Sequence, residues 1–149
     1  MTETGETNVA STPWHLWLIG VVALLWNAMG EYDYVMTQTR NEAYMSNFTP
    51  EQLSFFYGFP PWLDAAWAIA VWGGVLGAIL LLLRRRLAVW VFLVSLIAMV
   101  STTFHNYVLS NGMEVLGDAI SLGFTAVIFL IALALFLYAR AMQKRKILV

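Results

Sequence analysis

The feature that most constrains this chain is a set of four apolar stretches, each long enough to cross a lipid bilayer. They cover residues 14–35, 61–83, 87–109 and 116–139. A transmembrane helix needs about 20 mostly apolar residues. Only 11% of the 149 residues are charged, against roughly 25% in a typical soluble domain. The sequence therefore predicts an all-α integral membrane protein, a four-transmembrane-helix bundle in which residues 1–149 form a single domain.

The positive charges are distributed unevenly, and their distribution predicts an orientation. Four spans place both termini and the turn between the second and third spans on the same side of the membrane. That side carries seven of the eight cations: Arg84, Arg85, Arg86, Arg140, Lys144, Arg145 and Lys146. Because short cytoplasmic segments are enriched in Lys and Arg, we expect both termini to be cytoplasmic.

The same topology puts most of the carboxylates on the outer side. Only Glu3 and Glu6 lie on the inner side. The other seven are Glu31, Asp33, Glu42, Glu51, Asp64, Glu114 and Asp118. Residues 1–12 lack the basic residues of a secretory signal, so we expect them to form a flexible tail. Residues 140–149 are predicted to form a basic C-terminal tail.

The loop between the first and second spans, about residues 37–59, contains a predicted short helix at 50–57. Thr49 suits the N-cap, Pro50 the first helical position, and Gln52 the third position of a capping box. Gly58 is suited to end the helix. The apolar side chains of this helix are compatible with two arrangements. It either lies on the outer membrane surface or covers an outer cavity.

Two short segments suggest an internal duplication. The sequences DYVMT at 33–37 and NYVLS at 106–110 match conservatively, and each ends an outward-going span. Each is followed by a loop and an Asp-Ala pair, at Asp64 and Asp118. This pattern indicates two parallel helical hairpins related by an axis along the membrane normal. Chance similarity between aromatic-rich helix ends is the alternative.

The second span carries small residues at helical spacing, which predicts a tightly packed face. Small side chains let the backbones of neighbouring membrane helices approach closely. Those expected to serve helix packing, within the bundle or between subunits, are Ala66, Ala70, Gly73, Gly74, Gly77 and Ala78.

Polar residues near the outer ends of the spans predict a ligand site. Asn27 lies too deep and is too short to reach water, so it needs a partner inside the bundle. Glu31 lies four residues later, on the same helical face. Asp64, His105 and Asp118 lie at matching depth on the other spans. We expect Glu31, His105 and at least one of Asp64 and Asp118 to line one outward-facing cavity with Asn27 at its floor.

A histidine beside carboxylates also suggests a divalent metal, with His105, Glu31 and Asp118 as candidate ligands. A hydrogen-bonded interfacial histidine is the simpler interpretation. The chain has no cysteine, which rules out thiolate and iron–sulfur sites. It also has no phosphate-binding glycine motif, no serine-hydrolase motif and no nucleic-acid-binding patch. The sequence identifies no cofactor and does not favour an enzyme.

The motifs PWHLW, LLWNAMGEYDY, MTQTRNEAYM and AAWAIAVWGG carry a resemblance that covers nearly the whole chain. The chain resembles a family of small four-helix membrane proteins of proteobacteria, loosely labelled sugar transporters. This resemblance implies a multi-pass protein of the bacterial inner membrane. It carries over no binding residues.

Three functions remain open from the sequence. The first is a small-solute, sugar-like transporter with a polar outward-facing cavity. Four helices enclose little space, so this function needs a homodimer. The second is an accessory or assembly subunit of a larger membrane complex. The third is a membrane metal-handling or enzymatic protein that uses His105 and the outer carboxylates. The lipid bilayer is the expected partner in all three.

Overall fold

The computed structural model describes residues 11–149, whose regular structure is helical throughout. The elements are α1 (Trp14–Gln38), α2 (Glu42–Met45), α3 (Pro50–Tyr57), α4 (Pro61–Leu82), α5 (Leu87–Phe104), a π-helical turn (His105–Leu109), α6 (Gly112–Leu116) and α7 (Ala119–Lys144). Three segments are long and apolar enough to cross a membrane: Pro61–Leu82, Leu87–Leu109 and Ala119–Lys144. The protein is therefore a helical membrane protein with three candidate spans. Most of the predicted flexible tail, residues 1–10, lies outside the described residues.

Helix α1 is the predicted first span, and its composition separates it from these three. It has 25 residues, long enough to cross a bilayer. Three tryptophans, His15, Asn27 and two carboxylates lower its mean hydropathy. Its role as a fourth span stays a prediction.

The centre of the bundle is α4, which packs against α1 on one side and α5 on the other. A Cβ atom at Gly74 would overlap the side-chain amide oxygen of Asn27 on α1. A Cβ at Gly77 would lie 2.6 Å from the ring of Phe92 on α5. Ala78 is fully buried. The glycines of the small-residue face thus touch both neighbouring helices.

Hydrogen bonding strengthens the contact between α4 and α5. The hydroxyl of Ser95 on α5 donates to the backbone carbonyl of Ala70 at 2.6 Å. A Cβ at Gly73 would lie 3.0 Å from the Cβ of Ser95. Because residue 73 is a glycine, the Ser95 side chain can reach the backbone carbonyl of Ala70 on α4. Ala66, one turn before Ala70 on α4, is half-buried.

The contacts along the helices show that neighbours run antiparallel. Gly20 of α1 adjoins Leu82 of α4, while Gly30 adjoins Val71. Helix α7 packs mainly against α5. It also meets α1 at two aromatic contacts: His15 Nδ1 lies 2.5 Å from the Tyr138 hydroxyl, and Trp26 lies 6.1 Å from Phe124 between ring centroids. The four long helices form an up-and-down bundle.

The predicted short helix in the first loop is confirmed at 50–57. The Thr49 hydroxyl accepts from the backbone N–H of Gln52 at 3.2 Å, and the Gln52 side chain accepts from the Thr49 N–H at 3.0 Å. Pro50 occupies the first turn and Gly58 is the C-cap. All of these contacts lie within three residues, so the local sequence is enough to specify them.

The connection between the last two spans differs from the sequence expectation. The α-helical pattern of α5 stops at Phe104, and His105–Leu109 continue as a π-helical turn. Gly112–Leu116 form the separate helix α6, so α7 begins at Ala119 rather than at 116. Helix α7 also extends to Lys144, beyond the predicted end at 139. Asp118 and Asp64, the residues matched in the duplication hypothesis, therefore differ in position: Asp118 is the N-cap of α7, and Asp64 lies within the first turn of α4.

The predicted basic C-terminal tail, residues 140–149, continues α7 to Lys144 and then folds onto the bundle. Ile147 and Leu148 are 2% and 3% exposed and belong to the hydrophobic core. Val149 accepts from the N–H of Arg86 at 3.0 Å and donates to the carbonyl of Arg84 at 2.8 Å. Apolar side chains after the cations explain the difference, because burying them removes apolar surface from water.

The fold predicts that Gly74→Leu destabilises the bundle, because any side chain at this position must displace Asn27. Overpacking of a close helix contact costs about 1–3 kcal/mol, occasionally more. We expect a lower melting temperature in detergent for this variant. Gly123→Leu on α7 is the matched control, since a Cβ there has open space around it. Equal melting temperatures for both variants would contradict the packing described.

Candidate functional site at the loop end of the bundle

The bundle has two chemically different ends. We call the end that carries residues 39–60 the loop end, and the end that carries residues 84–86 and 145–149 the basic end. The candidate ligand residues lie at or toward the loop end. The side chains and packing there determine which of them are brought together.

A continuous cluster of aromatic rings fills the loop end, and we refer to it as the aromatic cluster. Neighbouring rings are tilted or edge-to-face, with centroids between 5.0 and 6.5 Å apart. Such pairs contribute about 0.5–1.5 kcal/mol each beyond the area they bury. The members are Tyr32, Tyr34, Tyr44, Phe48, Phe55, Phe56, Phe59, Trp62, Trp67 and His105. The loop helix α3 is thus folded into the cluster, and its Phe55 is buried.

One polar contact joins the loop to α1. The hydroxyl of Tyr44 on α2 donates a hydrogen bond to the Asp33 carboxylate on α1. Burial raises the pKa of Tyr44 above its usual value, and the hydrogen bond to Asp33 and the negative charge of Asp33 raise it further. Neither residue is among the predicted ligand residues. The turn at Thr39–Asn41 brings them together, and Arg40 adopts a left-handed backbone there.

A second polar contact joins α1 to α4. The Gln38 side-chain amide donates to the Asp64 carboxylate at 3.0 Å. Asp64 is half-buried, so this hydrogen bond accounts for one of its oxygens. Arg40 also serves the loop, because its guanidinium lies 4.2 Å from the centroid of the Tyr57 ring. Cation–π contacts of this kind hold a charged side chain against the aromatic surface.

His105 lies within the aromatic cluster and begins the π-helical turn. Its ring is 5.3 Å from that of Trp62 and 6.5 Å from that of Phe59, both edge-to-face. Its Nδ1 lies 3.4 Å from the side-chain oxygen of Asn106. π-Helical turns are rare and are often found at functional sites. The histidine is therefore held mainly by aromatic rings.

Asn27 finds its partner in its own helix rather than in a cavity. Its side-chain amide donates to the carbonyl of Ala23 at 2.8 Å, and its oxygen faces Gly74. The face of α1 that carries Asn27 thus points at α4, as expected. The expected role of Asn27 as a cavity floor is not supported, because glycine packing closes the space in front of it.

Two of the predicted ligand residues remain, Asp118 and Glu31. Asp118 is exposed and caps α7 by accepting from the N–H of Ser121 at 3.1 Å. Glu31 is half-buried on α1. Over residues 11–149, no three His, Asp or Glu side chains come together in a way that could hold a metal ion. The expected metal set of His105, Glu31 and Asp118 is therefore not assembled.

Two cavities lie next to this region. An open cleft of about 510 Å³ separates α3 from α6, and its lining consists of Glu51, Ser54, Phe55, Asn111, Glu114 and Val115. A groove of about 460 Å³ runs between α5 and α7, and its lining consists of Val100, Thr103, Phe104, Tyr107, Leu122, Thr125, Ala126 and Phe129. Neither lining includes any of the five predicted ligand residues. The cleft is polar, whereas the groove is mostly apolar.

These features define a helical membrane protein whose loop end is closed by aromatic side chains. Comparisons with models of protein families, with curated proteins and with solved structures gave no match. The residues of the chain itself are therefore the basis for assigning its function.

The Tyr44–Asp33 contact predicts that Tyr44→Phe loosens the loop. A hydrogen bond to a carboxylate contributes about 1.5–3 kcal/mol, so the melting temperature in detergent should fall. The effect of pH on this contribution has a defined sign. Folding raises the Tyr44 pKa above its ordinary value of 10.0, so the contribution is intact below pH 10.0 and is lost as the pH rises above it.

Melting curves between pH 7 and 11 check this prediction. The parent should lose stability above about pH 10 more steeply than Tyr44→Phe does. Tyr57→Phe, which keeps its ring beneath Arg40, is the control and should behave like the parent. A Tyr44→Phe variant with the stability and pH profile of the parent would show that the loop does not depend on this hydrogen bond.

Proposed function

We propose that this chain is a four-span protein of the bacterial inner membrane with both termini in the cytoplasm. The antiparallel packing of α1 along α4, from Gly20 at Leu82 to Gly30 at Val71, supports α1 as the fourth span. A helix of 25 residues is about 37 Å long, enough to cross the hydrocarbon layer. The concentration of cations at the basic end supports its cytoplasmic location.

The topology can be tested with a reporter that is active only in the cytoplasm. Fused after Val149, or inserted in the turn at 84–86, the reporter should be active. Inserted in the loop at 46–49 it should be inactive, because that loop lies across the membrane from the cations. A reporter active in the loop and inactive at Val149 would overturn the orientation.

Within that topology, we propose that the protein acts as an accessory or assembly subunit of a larger membrane complex. The exposed face of α7 would be its contact surface with the partner. The observation that carries this proposal is the exposure of α7. Only 6% of its most apolar stretch is buried, compared with 22% for α4 and 28% for α5. Among its exposed residues are small ones, namely Gly123, Ala126, Ala134 and Ala141.

The glycines of α4 and the glycine of α7 have different surroundings. The glycines of α4 are covered by α1 and α5, whereas a Cβ at Gly123 meets nothing within 4 Å. Small residues at a membrane helix surface allow another helix to approach closely. The groove between α5 and α7 lies beside this surface, and the hydroxyls of Tyr107 and Thr125 are 3.3 Å apart in it. Hydroxyls of this kind also hydrogen-bond between membrane helices. A transmembrane helix of another subunit fits this combination.

A small-solute carrier is the second candidate, favoured by the aromatic cluster. Trp62 is half-exposed beside His105, and Asp64 and Gln38 provide hydrogen-bonding groups on neighbouring helices. Aromatic faces with polar neighbours suit a sugar-like solute, in agreement with the label of the family that the sequence resembles. Glycine packing brings α4 into close contact with α1 and α5, and four helices enclose little space, so we propose that a carrier would use passage between two copies. The metal-handling alternative is not carried further, because no three His, Asp or Glu side chains among residues 11–149 come together in a way that could hold a metal ion.

The subunit proposal predicts the effect of Gly123→Leu. The variant should fold like the parent, since the position is open, but it should lose its partner because leucine holds the helices apart. Native mass spectrometry and light scattering of protein purified from its own membrane measure this. Val94→Leu, on an exposed face of α5, is the control and should keep the complex.

Two results would contradict the subunit proposal. One is a parent protein that is monomeric and free of partners after mild extraction. The other is a complex that survives Gly123→Leu. A homodimer whose tryptophan fluorescence changes on addition of a sugar would instead support the carrier.

A further inference from the structure

The basic end has a geometry that the proposed function does not use. Arg84 has a left-handed backbone just after α4, and Lys146 has one just after α7. The two backbone hydrogen bonds between Val149 and the 84–86 turn hold residues 145–146 next to that turn. Ile147 and Leu148, which are buried in the hydrophobic core, anchor residues 145–149 to the bundle. Two groups of cations that are far apart in the sequence are thereby fixed side by side.

Most of these cations have exposed side chains within the described residues 11–149. Arg84 is half-buried, and its guanidinium donates to the Thr12 hydroxyl. The exposed cations of this end are Arg85, Arg86, Arg140, Lys144, Arg145 and Lys146. The sequence has no acidic residue between Asp64 and Glu114, and none after Asp118. Within residues 65–113 and 119–149, which include the basic end, no acidic side chain is therefore present to neutralise these charges.

An apolar strip starts at the same place and runs along the candidate span α5. Leu83 and Leu87 flank the arginines and are 63% and 55% exposed. Trp90, Val94 and Ile97 continue at helical spacing on the same face and are also exposed. A concentrated positive charge at the end of an exposed apolar strip matches an amphiphile with an anionic head and a hydrocarbon tail.

We infer that the basic end is a binding site for an anionic phospholipid. Its phosphodiester head would pair with Arg85, Arg86 and Arg145, and an acyl chain would lie along Leu87, Trp90 and Val94. Arginine suits this role because its planar guanidinium donates two hydrogen bonds to phosphate oxygens. Each basic residue near a membrane surface contributes about fivefold to affinity for anionic lipid. This site is independent of any partner at α7.

Native mass spectrometry of the full-length protein with equal amounts of phosphatidylglycerol and phosphatidylcholine tests the inference. The parent should retain phosphatidylglycerol in preference. The triple variant Arg85→Gln, Arg86→Gln, Arg145→Gln should bind it at least tenfold more weakly, with phosphatidylcholine binding unchanged. The matched triple Arg→Lys variant keeps the charges and should retain most of the preference. Equal binding of the two lipids by the parent, or an unchanged preference in the glutamine variant, would overturn the site.

Two further experiments test whether binding depends on the folded arrangement of the cations and whether it is specific for a lipid over a free anion. Leu148→Ser keeps every cation but releases the clamp on residues 145–146, so phosphatidylglycerol binding should fall several-fold. Unchanged binding would contradict a site built by the folded segment.

Inorganic phosphate should not raise the melting temperature of the parent as phosphatidylglycerol does. Equal stabilisation by the two would overturn the assignment to a lipid. If the glutamine variant does not fold, release of phosphatidylglycerol from the parent by high salt replaces it, and retention at high salt would overturn the site.

Discussion

The close approach of α4 to its two neighbours is the contact on which the rest of the structure depends. In lipid, helices gain little from burying apolar surface against each other, so they associate through van der Waals contact and hydrogen bonds. Gly74 and Gly77 supply the space, and the side chains of Asn27 and Phe92 fill it. This contact sets the positions of α1 and α5. Helix α7 then packs on α5, and the loop end and the basic end take shape around the ends of the four helices.

The polar groups within the bundle serve this packing. The amide of Asn27 and the hydroxyl of Ser95 each donate to a backbone carbonyl, of Ala23 and Ala70 respectively. Among residues 11–149, no buried side-chain nitrogen or oxygen lacks a hydrogen-bond partner. A polar residue at depth in a membrane helix often marks a transport path. Here hydrogen bonds within the bundle account for both Asn27 and Ser95.

The two ends of the bundle are closed by different physical means. At the loop end, aromatic rings pack edge to face and the Tyr44–Asp33 hydrogen bond holds the loop to α1. At the basic end, Ile147 and Leu148 insert into the core and bring cations from two segments together. An aromatic surface suits neutral or sugar-like molecules, whereas the basic surface suits phosphate groups. The asymmetry gives the molecule two distinct surfaces where a ligand could bind, in addition to the exposed face of α7.

Features that depend on composition or on residues close together in the chain could be predicted from the sequence. Hydropathy and length gave the long helices, and the residues from Thr49 to Gly58 specified the α3 cap because all its contacts lie within a few positions. Helical spacing identified the small face of α4, and the position of Asn27 showed which face of α1 turns inward. The tertiary structure decided which distant groups meet. Three contacts depend on how turns and helix ends are placed in space: Asp33 with Tyr44, His105 with Trp62, and Val149 with the 84–86 turn. No local pattern encodes that placement, since it results from the packing of all four helices. For the same reason the contacts of three predicted ligand residues differ: Asn27 faces Gly74, Asp64 accepts from Gln38, and Asp118 caps α7.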